Sequence, residues 1–91
     1  MVEGRCWEVV LAQQPEKVLR RLPKRLLQRV ERTIEALAEN PRPFGCKRLV
    51  GHGDLYRVRV GDWRIVYAIE DDRLIVLIVK IAPRGRVYRN L

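Results

Sequence analysis

The chain predicts an α+β fold ordered β-α-α-β-β-β, with a mainly antiparallel sheet and two helices packed on one of its faces. Three observations carry this. Apolar residues recur at helical spacing in the first half, a period of two takes over after a turn-rich break, and two turn-forming dipeptides cut the second half into strands of hairpin length. With 91 residues, a single domain over 1–91 is expected, with room for one core and one site.

The first element is the strand Cys6 to Leu11, where Trp7, Val9 and Leu11 alternate with Cys6, Glu8 and Val10. Pro15 suits the first turn of a helix, where its missing N–H costs nothing. Val18, Leu19 and Leu22 form that helix's apolar stripe, and Pro23 separates it from the next helix. From about Lys24 to Glu39, Leu26, Leu27, Val30, Ile34, Leu37 and Ala38 recur on one face of an amphipathic helix, which Asn40, Pro41, Pro43 and Gly45 terminate. Leu55 to Val60, Trp63 to Glu70 and Arg73 to Ile81 then read as strands, divided by Gly61-Asp62 and Asp71-Asp72.

Composition narrows the function classes. Nineteen Lys and Arg against eleven Asp and Glu give a formal net charge of +8 and a pI near 10.3, a balance that favours an anionic partner such as nucleic acid. Cys6 and Cys46 are too few for a disulfide framework and read as reduced thiols, and no residue spacing suggests a metal or cofactor site. The N-terminal apolar run is too short for a signal-peptide core, and Leu74 to Val79 is far below bilayer length, so a cytoplasmic protein without a membrane partner is expected.

Charge acquires position once Gly61 and Asp62 are taken as the centre of a two-residue turn. Val60 then faces Trp63, Arg59 faces Arg64, Val58 faces Ile65, Arg57 faces Val66, and Tyr56 faces Tyr67. Tyr56, Val58, Val60, Trp63, Ile65 and Tyr67 share the helix-covered face, while Arg57, Arg59 and Arg64 share the other. Like charges directly opposed destabilise a sheet, so either a carboxylate such as Glu70 or Asp54 neutralises the pair, or the arginines diverge into water, or an external anion sits there. For a phosphate, the planar guanidinium fork is the suitable donor, and fixed cations would also stabilise charge gained on phosphorus during strand cleavage. Counting through Asp71-Asp72 places Leu74, Val76 and Ile78 with the core set. It places Ile75, Leu77 and Val79 beside Val66 and Ala68 on the arginine face, an apolar patch needing a cover from the chain itself or from a partner.

The run from Lys47 to Leu91, above all Leu55-Tyr56-Arg57-Val58-Arg59-Val60-Gly61-Asp62-Trp63-Arg64-Ile65-Val66-Tyr67 and the closing Val87-Tyr88-Arg89, resembles the RelE/ParE family of toxins from toxin–antitoxin pairs. The resemblance implies a ribosome-dependent endoribonuclease that cuts messenger RNA on the 70S ribosome, in the A site, with the messenger's own 2′-hydroxyl as nucleophile and no metal. It implies catalytic roles for Arg64, Arg84 and Tyr88, with Arg57, Arg59, Arg86, Lys47 and Arg48 holding phosphates. Tyr88 would be the general base or a stacking platform, or else an aromatic packing the tail onto the sheet. A phenol becomes a base only when neighbouring cations favour its phenolate, a role open to Arg84 and Arg86.

Two positions depart from the pattern: Pro83 stands where many relatives have a histidine, and Val50 where RelE has a basic residue. Phosphate binding therefore carries over more directly than proton transfer. His52, between two glycines, reads as an exposed turn residue. The resemblance further implies a cognate antitoxin seated on Val66, Ile75, Leu77 and Val79, with acidic residues near Arg64. Two other functions stay open: a ParE-like inhibitor of DNA gyrase, and a non-catalytic RNA- or ribosome-binding module.

Overall fold

The computed structural model describes residues 7–89 and 91. Its elements are β1 (Glu8–Leu11), α1 (Gln13–Leu19), α2 (Lys24–Glu39), β2 (Lys47–Arg48), β3 (Leu55–Val60), β4 (Trp63–Glu70) and β5 (Ile75–Pro83). The expected start of β1 at Cys6 lies outside the described residues. α2 falls where the apolar period placed it, with Pro23 as the residue preceding it, whereas α1 carries Pro15 buried in its first turn but ends at Leu19, which leaves Leu22 of the expected stripe in the bend before Pro23.

The sheet runs β1-β5-β4-β3-β2 and is antiparallel except where β1 lies parallel to β5, with Val9 beside Val76 and Leu11 beside Ile78. Beyond Leu11 the chain turns away into α1, yet it keeps satisfying the free edge of β5. Ala12 N–H donates to the Ile78 carbonyl, and the Gln14 side chain both donates to the Ile81 carbonyl and accepts from its N–H, each at 2.9 Å. One carboxamide thus replaces the missing strand.

The helices cover one face of the sheet, burying Val30, Leu37, Val60, Ile65, Tyr67, Ile69, Val76, Ile78 and Ile81, with Trp7, Leu26 and Trp63 packed at the margin. Tyr67 stacks on Tyr56 and donates its hydroxyl to the Pro41 carbonyl at 2.8 Å. Burial, reinforced by Cys46, raises the pKa of that phenol well above the usual tyrosine value. Close by, Arg42 grips Asp71 with two hydrogen bonds of 3.1 and 3.0 Å and lies over the Tyr56 ring. That pairing ties the segment after α2 to the β4–β5 turn and holds the Asp71 carboxyl below its ordinary range.

Three details of the second half depart from simple alternation. Asp71–Arg73 forms a 3-10 turn rather than a two-residue hairpin, and Leu74 closes it in the left-handed conformation (φ 53°), 43% exposed, instead of joining the core. A bulge between Val66 and Tyr67 then pairs Tyr67 with Ile78 but Val66 with Lys80, leaving Val79 as the extra residue. Its effect is to return Ile81 to the core while Lys80 and Ala82 join Val66 and Arg64 on the opposite face. Finally, a two-residue strand, β2, caps part of β3 by placing Lys47 beside Arg57 and Arg48 beside Tyr56.

Candidate functional site

Gly61 adopts a positive φ of 59°, which permits the tight turn and fixes the β3–β4 register predicted from sequence: Arg57 faces Val66 and Arg59 faces Arg64. Among the described residues the paired arginines meet no carboxylate. Glu70 is bound to Arg73 at 3.0 Å and Asp54 to Arg48 at 2.9 Å, so the two acids that could have neutralised the pair are engaged elsewhere. Arg64 is only 8% exposed and spends one terminal nitrogen on the carbonyls of Gly61 and Trp63, both at 3.0 Å. Arg57 is equally buried, and among the described residues neither makes a salt bridge. A buried cation without a counter-ion is destabilising, and the same arrangement is ready to receive an anion.

The segment after β5 completes the site. Arg84 N–H donates to the Asp62 carbonyl at 2.8 Å, and a turn in which Arg86 and Val87 N–H both donate to the Pro83 carbonyl folds the chain back over the sheet. Val87 is thereby buried on Val66 and Ala82, with Leu49, Leu55 and Val79 around them. Arg84, Arg86 and Tyr88 flank Val87 in this segment, with Arg86 lining a hollow at the free edge of β5 beside Gln14, Arg21 and Lys80. Tyr88 is 42% exposed, and its hydroxyl makes no hydrogen bond among the described residues. Lys80, beside Val66 in the sheet, donates its ammonium to the Arg89 carbonyl and anchors the far end of the turn.

Arg57, Arg59, Arg64, Arg84, Arg86 and Lys47 thus belong to one face or its rim. Two expected positions do not serve as expected. Arg48 sits at the register position of Tyr56, on the other face of the sheet, and is ion-paired with Asp54. Val66 is fully buried by the chain's own Val87, so it offers no surface to a partner. Ile75, Leu77 and Val79 keep partial exposure, and Val10 is exposed beside Leu77.

Lys80 was missed because straight alternation puts it in the core. The anomaly was visible all the same, since that count buries a lysine and exposes Ile81. No group of three or more His, Cys, Asp or Glu that could hold a metal occurs among the described residues, and no described helix is long and apolar enough to cross a membrane.

Comparison with known proteins identifies the class to which this fold and this face belong. Residues 9–88 match the family described as the ParE toxin of the type II toxin–antitoxin system parDE, and the chain belongs to this RelE/ParE family of toxins. Among individual proteins, it is 40% identical over 77 residues to a Methanocaldococcus jannaschii protein named RelE1, covering 81% of this chain and 86% of that one. It is 32% identical over 90 residues to the toxin RelE of Mycobacterium tuberculosis, covering 98% and 93%. The fold superimposes on the archaeal RelE–RelB complex from Pyrococcus horikoshii with a TM-score of 0.77 and 34% identity, covering 90% of this chain and 99% of the matched chain.

Proposed function

We propose that this toxin is an endoribonuclease that cuts messenger RNA in the ribosomal A site and so stops translation. The observation carrying this reading is the pair of buried arginines, Arg57 and Arg64, without carboxylate partners, on a face rimmed by Arg59, Arg84 and Arg86. In the reaction, the 2′-oxygen of the messenger bonds to the adjacent phosphorus as the bond to the 5′-oxygen breaks, leaving a 2′,3′-cyclic phosphate and a 5′-hydroxyl. Acting as its phenolate, Tyr88 accepts the 2′-hydroxyl proton, and solvent supplies a proton to the departing 5′-oxygen. Arg64 and Arg84 neutralise the charge that builds on the phosphoryl oxygens, where fixed donors act most strongly. Lys47, Arg59 and Arg86 hold neighbouring phosphates.

By likeness to the RelE–RelB complex, we assign the toxin an antitoxin partner that lies along Val10, Ile75, Leu77 and Val79 and places acidic residues toward Arg64. The site is cytoplasmic on this reading, since its substrate is the translating ribosome. The ParE name of the family match supports a second reading, a poison of DNA gyrase. Primer extension on a defined messenger, with purified toxin, with and without 70S ribosomes, separates the two. Arg64→Ala is expected to lower cleavage by about 10²–10³-fold, and Tyr88→Phe to abolish it with little change in ribosome affinity. Intact messenger with the wild type would transfer the assignment to gyrase inhibition or to RNA binding without cleavage.

A further inference from the structure

Two hollows of about 530 and 410 Å³ adjoin along the edge of β3, the larger against α2 and the smaller beside Lys47, sharing Phe44, Val58 and Arg59. Their cations are Arg29 and Arg32 from α2, Lys47 from β2, and Arg57 and Arg59 from β3, and among the described residues no carboxylate lines either one. Phe44 stands at their common lip with its side chain wholly in solvent (106% of the reference exposure). The loop that carries it is a defined turn. Cys46 N–H donates to the Pro43 carbonyl at 3.1 Å, and Gly45 takes a φ of 94° that other residues rarely adopt.

The hollow also communicates with the arginine face. A side chain at Gly61 would bring its Cβ within 3.2 Å of Arg29 Nη2, so the Arg29 guanidinium lies against the same turn whose carbonyl binds Arg64. A single cationic surface therefore runs from α2 around the β3–β4 hairpin to the proposed cleavage site.

We propose that this groove is a second RNA-contact site, in which Phe44 stacks an unpaired nucleotide while Arg29, Arg32, Lys47 and Arg59 hold the flanking phosphates. The inference rests on the reading of this protein as an RNA-cutting toxin and names the part of the substrate it holds: single-stranded RNA outside the scissile step. Chemistry favours this occupant. An exposed aromatic face among cations is the arrangement that binds unpaired nucleotides without sequence preference, because every base has a π-face and every link a phosphate. The competing occupant is an acidic polypeptide, which would add a strand along Val58–Val60, where β2 leaves the edge of β3 uncovered.

The test is fluorescence anisotropy of a labelled, unstructured single-stranded RNA with the full-length chain over a salt series, alongside ribosomal cleavage by the same preparations. Phe44→Ala, a change at a fully solvated position, weakens binding about five- to a hundredfold without altering its salt dependence, and Phe44→Trp restores it. Arg29→Gln with Arg32→Gln lowers the slope of log K against log salt by about 1.4, at about 0.7 per phosphate contact. Affinity indifferent to Phe44→Ala overturns the inference, and if the wild type still cuts messenger, the proposed function stands without it. Phe44-dependent binding by a protein that cuts nothing supports the site and removes the cleavage reading. Indifference to Phe44→Ala combined with slowed amide exchange at Val58–Val60 on adding an acidic peptide gives the groove to a polypeptide instead.

Discussion

The main chain of Arg84 is hydrogen-bonded to that of Asp62 at 2.8 Å, which joins the segment after the last strand to the hairpin bearing Arg59 and Arg64. Beyond it, Val87 seals the segment onto Val66 and Ala82. Val87→Ala removes two methyl groups from this contact and is expected to destabilise the toxin by about 2 kcal/mol. Hydrogen exchange at the Arg84 and Val87 amides should accelerate more than at the β4 core. Uniform acceleration across the sheet would show that the segment does not open by itself.

Arg57 is a cost to the free protein. Its charge is buried without a carboxylate partner among the described residues, so Arg57→Leu should raise stability by about 1 kcal/mol, or about 4–8 °C in melting temperature. RNA or another polyanion should stabilise the wild type more than the variant, since only the wild type offers that charge to a ligand. A melting temperature that falls in the variant would mean that the guanidinium is well satisfied in the free fold.

Gln14 substitutes for a strand along β5. Gln14→Ala leaves the N–H and carbonyl of Ile81 without protein partners on that side and is expected to cost about 1–3 kcal/mol. The loss should be local. Exchange at the Ile81 amide should rise before that of Val76, which β1 still covers.

Alkaline pH should weaken the fold through Tyr67. Its phenol has a raised pKa in the folded state, so its contribution is complete below the ordinary tyrosine value of about 10 and declines as pH rises above it, because only the unfolded chain gives up the proton readily. Tyr67→Phe removes the bond to the Pro41 carbonyl, lowering neutral-pH stability by about 1–2 kcal/mol, and should flatten the alkaline decline. Denaturant midpoints against pH for the two proteins check this. Parallel curves would assign the decline to other groups.

Most of the frame was legible because it rests on periodicity. The apolar stripe of Leu26, Val30, Ile34 and Leu37 marked α2, and the Gly61-Asp62 turn fixed the Arg59–Arg64 pairing by counting alone. What escaped were features decided by tertiary contacts. No local pattern announces that β1 lies parallel to β5, that Val87 buries Val66, or that a bulge moves Lys80 across the sheet. β2 was overlooked because a two-residue strand such as Lys47–Arg48 carries no period. Arg48 was misplaced with it, since adjacent residues on a strand point to opposite faces and only Lys47 accompanies Arg57.

The parallel pairing of β1 with β5 also bears on how the protein is made. Glu8 and Ile75 are 67 positions apart in the sequence (75 − 8), yet they are neighbours in the sheet. Closing so long a loop is entropically costly and slow, and it waits until the final strand exists. The arginine face is sealed later still, by residues beyond Pro83. A chain synthesised only as far as β4 therefore lacks both the completed sheet and Val87's plug.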